Sequence, residues 1–111
     1  VIGVSDINKA LPLYREVLGY SEIVYDKTDV FADFKGLDGS EQKIRRVLLQ
    51  HKKPRMGAFS RLLGDTELEL VEVKGRTPNK IFQGRQWGDL GFIHLCFDVN
   101  GMDKLRETCV K

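Results

Sequence analysis

Two side chains that can bind a metal ion lie in segments whose composition predicts β-strands. Glu69 lies in segment 67–73 and His94 in segment 92–99, and both segments alternate apolar and polar residues. Because successive strand residues point to opposite faces, Glu69 and His94 each lie on the less apolar face of their strand. A carboxylate oxygen and an imidazole nitrogen together suit Zn, Ni, Co, Mn or Fe. The pair therefore suggests a divalent-metal site, with an ordinary solvated strand face as the alternative.

The elements that must position these residues follow from the spacing of apolar residues. Strands are predicted over 1–4, 21–26, 44–51, 67–73 and 92–99, and helices over 7–18 and 102–110. In the second strand we expect Ile23 and Tyr25 to share one face. Pro12 lies inside the first helix, where it should remove one backbone hydrogen bond and bend the helix locally. Gly19 is expected to end that helix in the left-handed conformation.

The second strand-helix pair resembles the first, which suggests a tandem repeat. Val4 to Ile7 leads into one helix, and Val99 to Met102 leads into the other. We expect a first module over 1–75, a linker over 76–90 and an incomplete second module over 91–111. Since the chain begins in a strand and ends in a helix without a cap, we expect it to be part of something longer.

The composition limits the classes of partner. The chain has 111 residues, which allows one domain of modest core, and a net charge of +2 from 18 basic and 16 acidic residues that are spread along it. This spread argues against nucleic acid as a partner. No apolar run approaches the length of a membrane span. The two cysteines are not in CxxC spacing, so we expect a cytoplasmic protein.

The run from Val4 to Tyr20 resembles the opening of a vicinal-oxygen-chelate module, the superfamily of glyoxalases, bleomycin-resistance proteins and extradiol dioxygenases. The matching residues are Asp6, Tyr14, Leu18, Gly19 and Tyr20, and Leu13 replaces a usual aromatic. Segment 59–61 is similar to a stretch of glyoxalase I, and segment 64–70 is similar to methylmalonyl-CoA epimerases. Segment 91–95 resembles the start of a second module.

This resemblance implies an α+β fold in which βαβββ modules form a curved mixed sheet with helices on its outer face. It implies that Glu69 and His94 bind a divalent metal and that Glu69 also acts in catalysis by moving protons. The first ligand would lie two residues before Val1, and the fourth would lie on the last strand of the second module. Phe82 and Trp87, in the linker, would line the mouth of the substrate site.

Two further positions bear on the substrate. Arg45 and Arg46 take opposite faces of their strand, so one of them shares the face of the site. We assign substrate binding to Arg46, because an inward guanidinium can pair with an anionic substrate. The alternative is a surface charge. Gly3 stands where glyoxalase I usually has an Arg that holds the glutathione carboxylate, which argues against glutathione.

The resemblance favours a metal-dependent lyase or isomerase of the glyoxalase type acting on a small-molecule substrate. In that chemistry, bidentate chelation of the substrate to a divalent metal stabilises an enediolate or enolate. One alternative is a metal-free protein that sequesters a small ligand, as bleomycin-resistance proteins do. Another is an extradiol-type dioxygenase, which needs a second His. Since one module supplies half a site, we expect a pair of modules, either within one chain or between two chains as in a homodimer.

Overall fold

A four-stranded mixed sheet and two α-helices are the main regular elements among the residues that the structure describes. The computed structural model describes residues 1–54, 65–80, 83, 84, 86, 95, 97 and 101–110. The strands are β1 (Ile2–Gly3), β2 (Glu22–Asp29), β3 (Ile44–Gln50) and β4 (Glu67–Val73), and the α-helices are α1 (Ile7–Pro12) and α2 (Met102–Cys109). The predicted α+β class with a mixed sheet is confirmed.

The sheet has the strand order β1-β4-β3-β2. The two long pairs, β2 with β3 and β3 with β4, are antiparallel, whereas β1 runs parallel to β4 with Ile2 opposite Leu70. A parallel pair needs a crossover connection, and the chain from α1 through β3 supplies it. β4 thus lies in the interior of the sheet, between β1 and β3.

The hydrophobic core lies between α1 and one face of the sheet. Its buried members come from the helix, from the segment just before β2 and from alternate positions of β3 and β4: Ile7, Tyr20, Val47, Leu49, Leu68 and Leu70. Ile7, Val47, Leu49 and Leu70 are fully buried. Strand alternation explains the selection, because every second residue of β3 and β4 points to the helix side. The residues between them are left to form the opposite face.

The N-cap side chain and one side chain near the end of β4 hold the start of α1. Asp6 is the N-cap, and its carboxylate accepts a hydrogen bond from the Lys9 amide at 3.2 Å. The Ile7 amide donates to Glu72 Oε2 at 3.0 Å, so a strand residue satisfies a second unpaired N–H of the first turn. This contact ties the helix to β4 in addition to the apolar packing.

The helix changes character at Pro12. Residues Leu13–Val17 continue it as a π-helical turn, in which the Leu18 amide donates to the Leu13 carbonyl at 3.0 Å. Since Pro12 has no N–H to donate, a regular α-helix cannot continue through it unchanged, and the hydrogen bonding changes after it. Gly19 then ends the helix with a φ of +79°, as predicted.

A β-bulge in β2 overturns one expectation from the sequence. Ile23 lies opposite Leu49 of β3, but Tyr25 lies opposite Leu48, so Val24 is the extra residue. Neighbouring positions of β3 point to opposite faces, and Ile23 and Tyr25 therefore do so too. The expectation that they share one face was wrong, because it assumed an unbroken period of two.

Other predicted elements fall partly outside the described residues. A 3-10 turn over Ala32–Phe34 follows β2. Of the predicted strand 92–99, only Leu95 and Phe97 are described, and the Phe97 ring packs edge-on against Tyr20 with centroids 6.3 Å apart. None of the helices within the described ranges has both the length and the apolar character that a membrane-spanning segment needs.

Candidate functional site

Glu69 is a buried carboxylate on the sheet face opposite α1. Its neighbours Leu68 and Leu70 point into the core, so strand alternation turns Glu69 to the other face, as predicted from the sequence. The residue is only 7% exposed. A buried carboxylate costs free energy unless hydrogen bonds and opposite charge compensate it, so its partners decide its chemistry.

Arg46 supplies the opposite charge from β3. Arg46 lies opposite Val71 and Leu48 lies opposite Glu69, so the two charged residues are diagonal neighbours on one face. Arg46 Nε donates to Glu69 Oε1 at 2.6 Å. The prediction that one arginine of the pair shares the face of the site is confirmed, and that arginine is Arg46.

Arg45 has a structural role on the helix side of the sheet. Its guanidinium makes a bidentate pair with Asp26, with Nε to Oδ1 at 2.9 Å and Nη2 to Oδ2 at 2.6 Å. Its Nη1 donates to Asn8 Oδ1 at 2.8 Å, which joins β3 to α1. The pair with Arg45 lowers the pKa of Asp26. The two adjacent arginines therefore serve opposite faces of the sheet.

Tyr25 is the residue of this site that the sequence reasoning missed. Its hydroxyl donates a hydrogen bond to Glu69 Oε1, the same oxygen that accepts from Arg46. The bulge at Val24 is what turns Tyr25 to this face. Read as an unbroken alternation, Tyr25 falls on the same face as Ile23, so the local pattern gave no signal for its role.

The three side chains shift one another's pKa values. Burial alone raises the pKa of the Glu69 carboxyl, but the hydrogen bonds from Arg46 and Tyr25 and the arginine charge outweigh it, so the pKa lies below its ordinary value. Burial and the neighbouring carboxylate raise the pKa of Tyr25. The hydrogen bond to Glu69 raises the pKa of Arg46. Glu69 is therefore ionised, and Tyr25 keeps its proton.

The turn that follows β2 covers Arg46. Nη1 of Arg46 donates to Asp33 Oδ2 at 2.5 Å. The guanidinium carbon lies 4.8 Å from the centre of the Phe31 ring and 5.0 Å from that of Phe34, both within cation–π range. Two carboxylates and two aromatic rings thus surround one guanidinium.

The remaining predicted site residues, His94, Phe82 and Trp87, lie outside the described residues. Their predicted roles in metal and substrate binding stay predictions. The structure therefore brings together Glu69 and Arg46 of the predicted set, and it adds Tyr25, Asp33, Phe31 and Phe34.

Glu69 fits the role of one metal ligand. Metal binding needs a deprotonated carboxylate, and Arg46 keeps Glu69 in that form. Metal-binding carboxylates are usually held by second hydrogen bonds, and Tyr25 and Arg46 hold Oε1 in that way. Within the described part of the chain, no group of three or more His, Cys, Asp or Glu side chains could hold a metal ion.

We compared the chain with protein families, curated proteins and solved structures. The chain matches no family model, no curated protein and no solved structure.

Proposed function

We propose that this chain belongs to a metal-dependent lyase or isomerase of the glyoxalase type, in which Glu69 and His94 bind a divalent metal. The observation that carries the proposal is the buried, ionised Glu69, whose Oε1 is held by Tyr25 and Arg46. A carboxylate that is ionised and held in a fixed position can bind a metal cation. When bound, the metal would supply Lewis-acid stabilisation of an enediolate or enolate.

The residues of this chain would have distinct roles in such an enzyme. Arg46 and Tyr25 position Glu69, and Tyr25 keeps a proton next to the carboxylate because its pKa is raised. The proton-moving role expected for Glu69 requires it to accept a proton. Its lowered pKa makes it a weak base while Arg46 donates to it, so the ligand role is the better supported of the two.

We also propose how the fold completes the site. The face that carries Glu69 lies opposite α1, and a second βαβββ module, within one chain or in a homodimer, would cover it. In that arrangement the sheet curves around the site with the helices on its outer face. Segment 91–111 would begin the second module, and Phe82 and Trp87 of the linker would lie at the substrate mouth.

One observation favours a second candidate, a metal-free protein that binds a small ligand. The charge of Glu69 is already compensated by Arg46 at 2.6 Å, so the site does not need a cation to be electrically balanced. The extradiol-type dioxygenase expected as a third alternative gains no support, since it needs two histidines and a carboxylate around Fe(II).

Metal content of the full-length protein tests the proposal. We would compare wild type with the double variant Glu69→Ala/His94→Ala. The matched control is Glu67→Ala/His51→Ala, which removes the same residue types elsewhere. We expect about one equivalent of divalent metal, with thermal stabilisation, in wild type and control, and loss of both in the first variant. Absence of metal from the wild type after reconstitution would overturn the enzyme proposal in favour of metal-free ligand binding.

A further inference from the structure

The two carboxylates that share Arg46 differ sharply in their surroundings. The Glu69 side chain is 9% exposed and comes from an interior strand, whereas the Asp33 side chain is 55% exposed and comes from a 3-10 turn. An ion pair with a largely exposed partner contributes little free energy, because water screens it and the side chains lose freedom. Glu69 is therefore the permanent partner of Arg46, and Asp33 is one that can be exchanged.

The position of Asp33 has the character of an anion site. Its Oδ2 accepts from Nη1 of a guanidinium whose Nε is already fixed by Glu69, and the arginine side chain itself is only 16% exposed. A positioned guanidinium binds a carboxylate better than a mobile one, because less freedom is lost. The rings of Phe31 and Phe34 flank the same guanidinium and add apolar surface beside the anion.

We propose that Arg46 binds the carboxylate of a small organic ligand and that Asp33 occupies this position as an internal substitute when the ligand is absent. The class of ligand follows from the occupant, since a planar carboxylate already sits there, and from the two rings, which suit an apolar group next to it. This inference deepens the proposed function by naming a substrate group, and it rests on that function only in placing the ligand beside Glu69.

Displacement of Asp33 sets the apparent affinity. If the ligand binds only when Asp33 has left Arg46, its apparent affinity is reduced in proportion to the fraction of molecules in which Arg46 is free of Asp33. Removing the Asp33 charge should therefore strengthen carboxylate binding, although the variant has lost a charged group.

The test is a titration of the full-length protein with sodium acetate, followed by the ¹⁵N–¹H signal of Arg46 Nε, in protein that has been stripped of metal and then freed of chelator so that metal plays no part. We expect Asp33→Asn to bind acetate about threefold more tightly than wild type, the size of gain that the loss of a largely exposed ion pair allows. Asp38→Asn, which makes the same charge change in the same connection, should bind as wild type does. Sodium chloride at equal ionic strength should leave the signal unchanged.

Two further arms keep the proposal open to refutation. Arg46→Gln/Glu69→Gln removes both charges of the buried pair and should abolish acetate binding. If that variant does not fold, Arg46→Lys keeps the charge without the planar fork and should weaken binding about tenfold. Equal affinity in Asp33→Asn and Asp38→Asn, or acetate binding that survives the loss of Arg46, would overturn the proposal. Tighter binding of inorganic phosphate than of acetate would overturn the assignment to carboxylates. Because no arm depends on metal, failure here is distinct from failure of the metal test.

Discussion

Tyr25 and Glu69 are hydrogen-bonded to each other although their strands, β2 and β4, are separated by β3. Strands two apart in a sheet lie about 10 Å from each other, so both long side chains must extend across β3 to meet. Arg46, on the strand between them, donates to the same carboxylate oxygen. The site is therefore built from three adjacent strands, and each contributes one side chain.

The hydrogen bond from Tyr25 should measurably hold down the pKa of Glu69. We expect Tyr25→Phe to raise that pKa and to lower the free energy of unfolding by about 2 kcal/mol, since a hydrogen bond to a charged group is lost. The pKa would be read from the Glu69 carboxyl carbon signal during a pH titration. Tyr14→Phe, which removes a hydroxyl elsewhere, is the control, and an equal effect from both variants would contradict the prediction.

Stability should depend on pH through Glu69. Because folding lowers the pKa of Glu69 below its ordinary 4.5, the ionised carboxylate stabilises the fold above that pH, and this contribution is lost as pH falls through the folded-state pKa. We expect Glu69→Gln to reduce the loss of stability on acidification from about pH 6 to about pH 3, measured by urea unfolding.

The remaining slope would come from Asp26 and Glu72, whose pKa values are also lowered. Glu67→Gln, at an exposed position two residues away, should follow the wild-type profile. A Glu69→Gln profile parallel to that of the wild type would show that Glu69 does not contribute.

The two arginines of β3 should respond differently to removal. Arg46→Met leaves the buried Glu69 without its counter-charge, so we expect a cost of about 3 kcal/mol in urea unfolding. Adding Glu69→Leu should recover most of that cost, because the unpaired charge is gone. Arg45→Met should cost less than Arg46→Met, since its partner Asp26 is more than a third exposed and water screens the pair. A double variant less stable than Arg46→Met would argue against this account.

A side chain at Gly19 should lower the stability of the fold. Its φ is +79°, and a Cβ there would lie 3.1 Å from His51 Nε2 and 3.2 Å from His51 Cδ2. We expect Gly19→Ala to cost about 1–2 kcal/mol from the left-handed backbone, with any displacement of His51 adding to it. The matched control is Gly3→Ala, where the Cβ would meet nothing within 4 Å. Thermal unfolding would compare the two, and equal melting temperatures would contradict the prediction.

The alternation of apolar and polar residues predicts which face a side chain takes only where a strand is regular. The alternation in 67–73 correctly predicted that Glu69 takes one face of the sheet and that Leu68 and Leu70 take the other, because β4 is regular throughout. The same rule failed at Tyr25, where one inserted residue reverses the faces and leaves no compositional trace. Asp33 was not singled out, because a 3-10 turn has no period that relates it to a strand. The partner that a side chain contacts depends on the strand register between segments that are distant in sequence. The local sequence pattern does not contain this information.

The bulge at Val24 also affects whether β2 can pair with a strand of another molecule. Within the described sheet, β2 is an edge strand, and Ile23 and Val24 are exposed on it. A long, flat, apolar edge invites strand pairing between molecules and aggregation. The bulge interrupts that flatness, and the charged Asp26, Lys27 and Asp29 occupy the rest of the edge. One irregularity thus disfavours strand pairing between molecules and also sets the orientation of Tyr25.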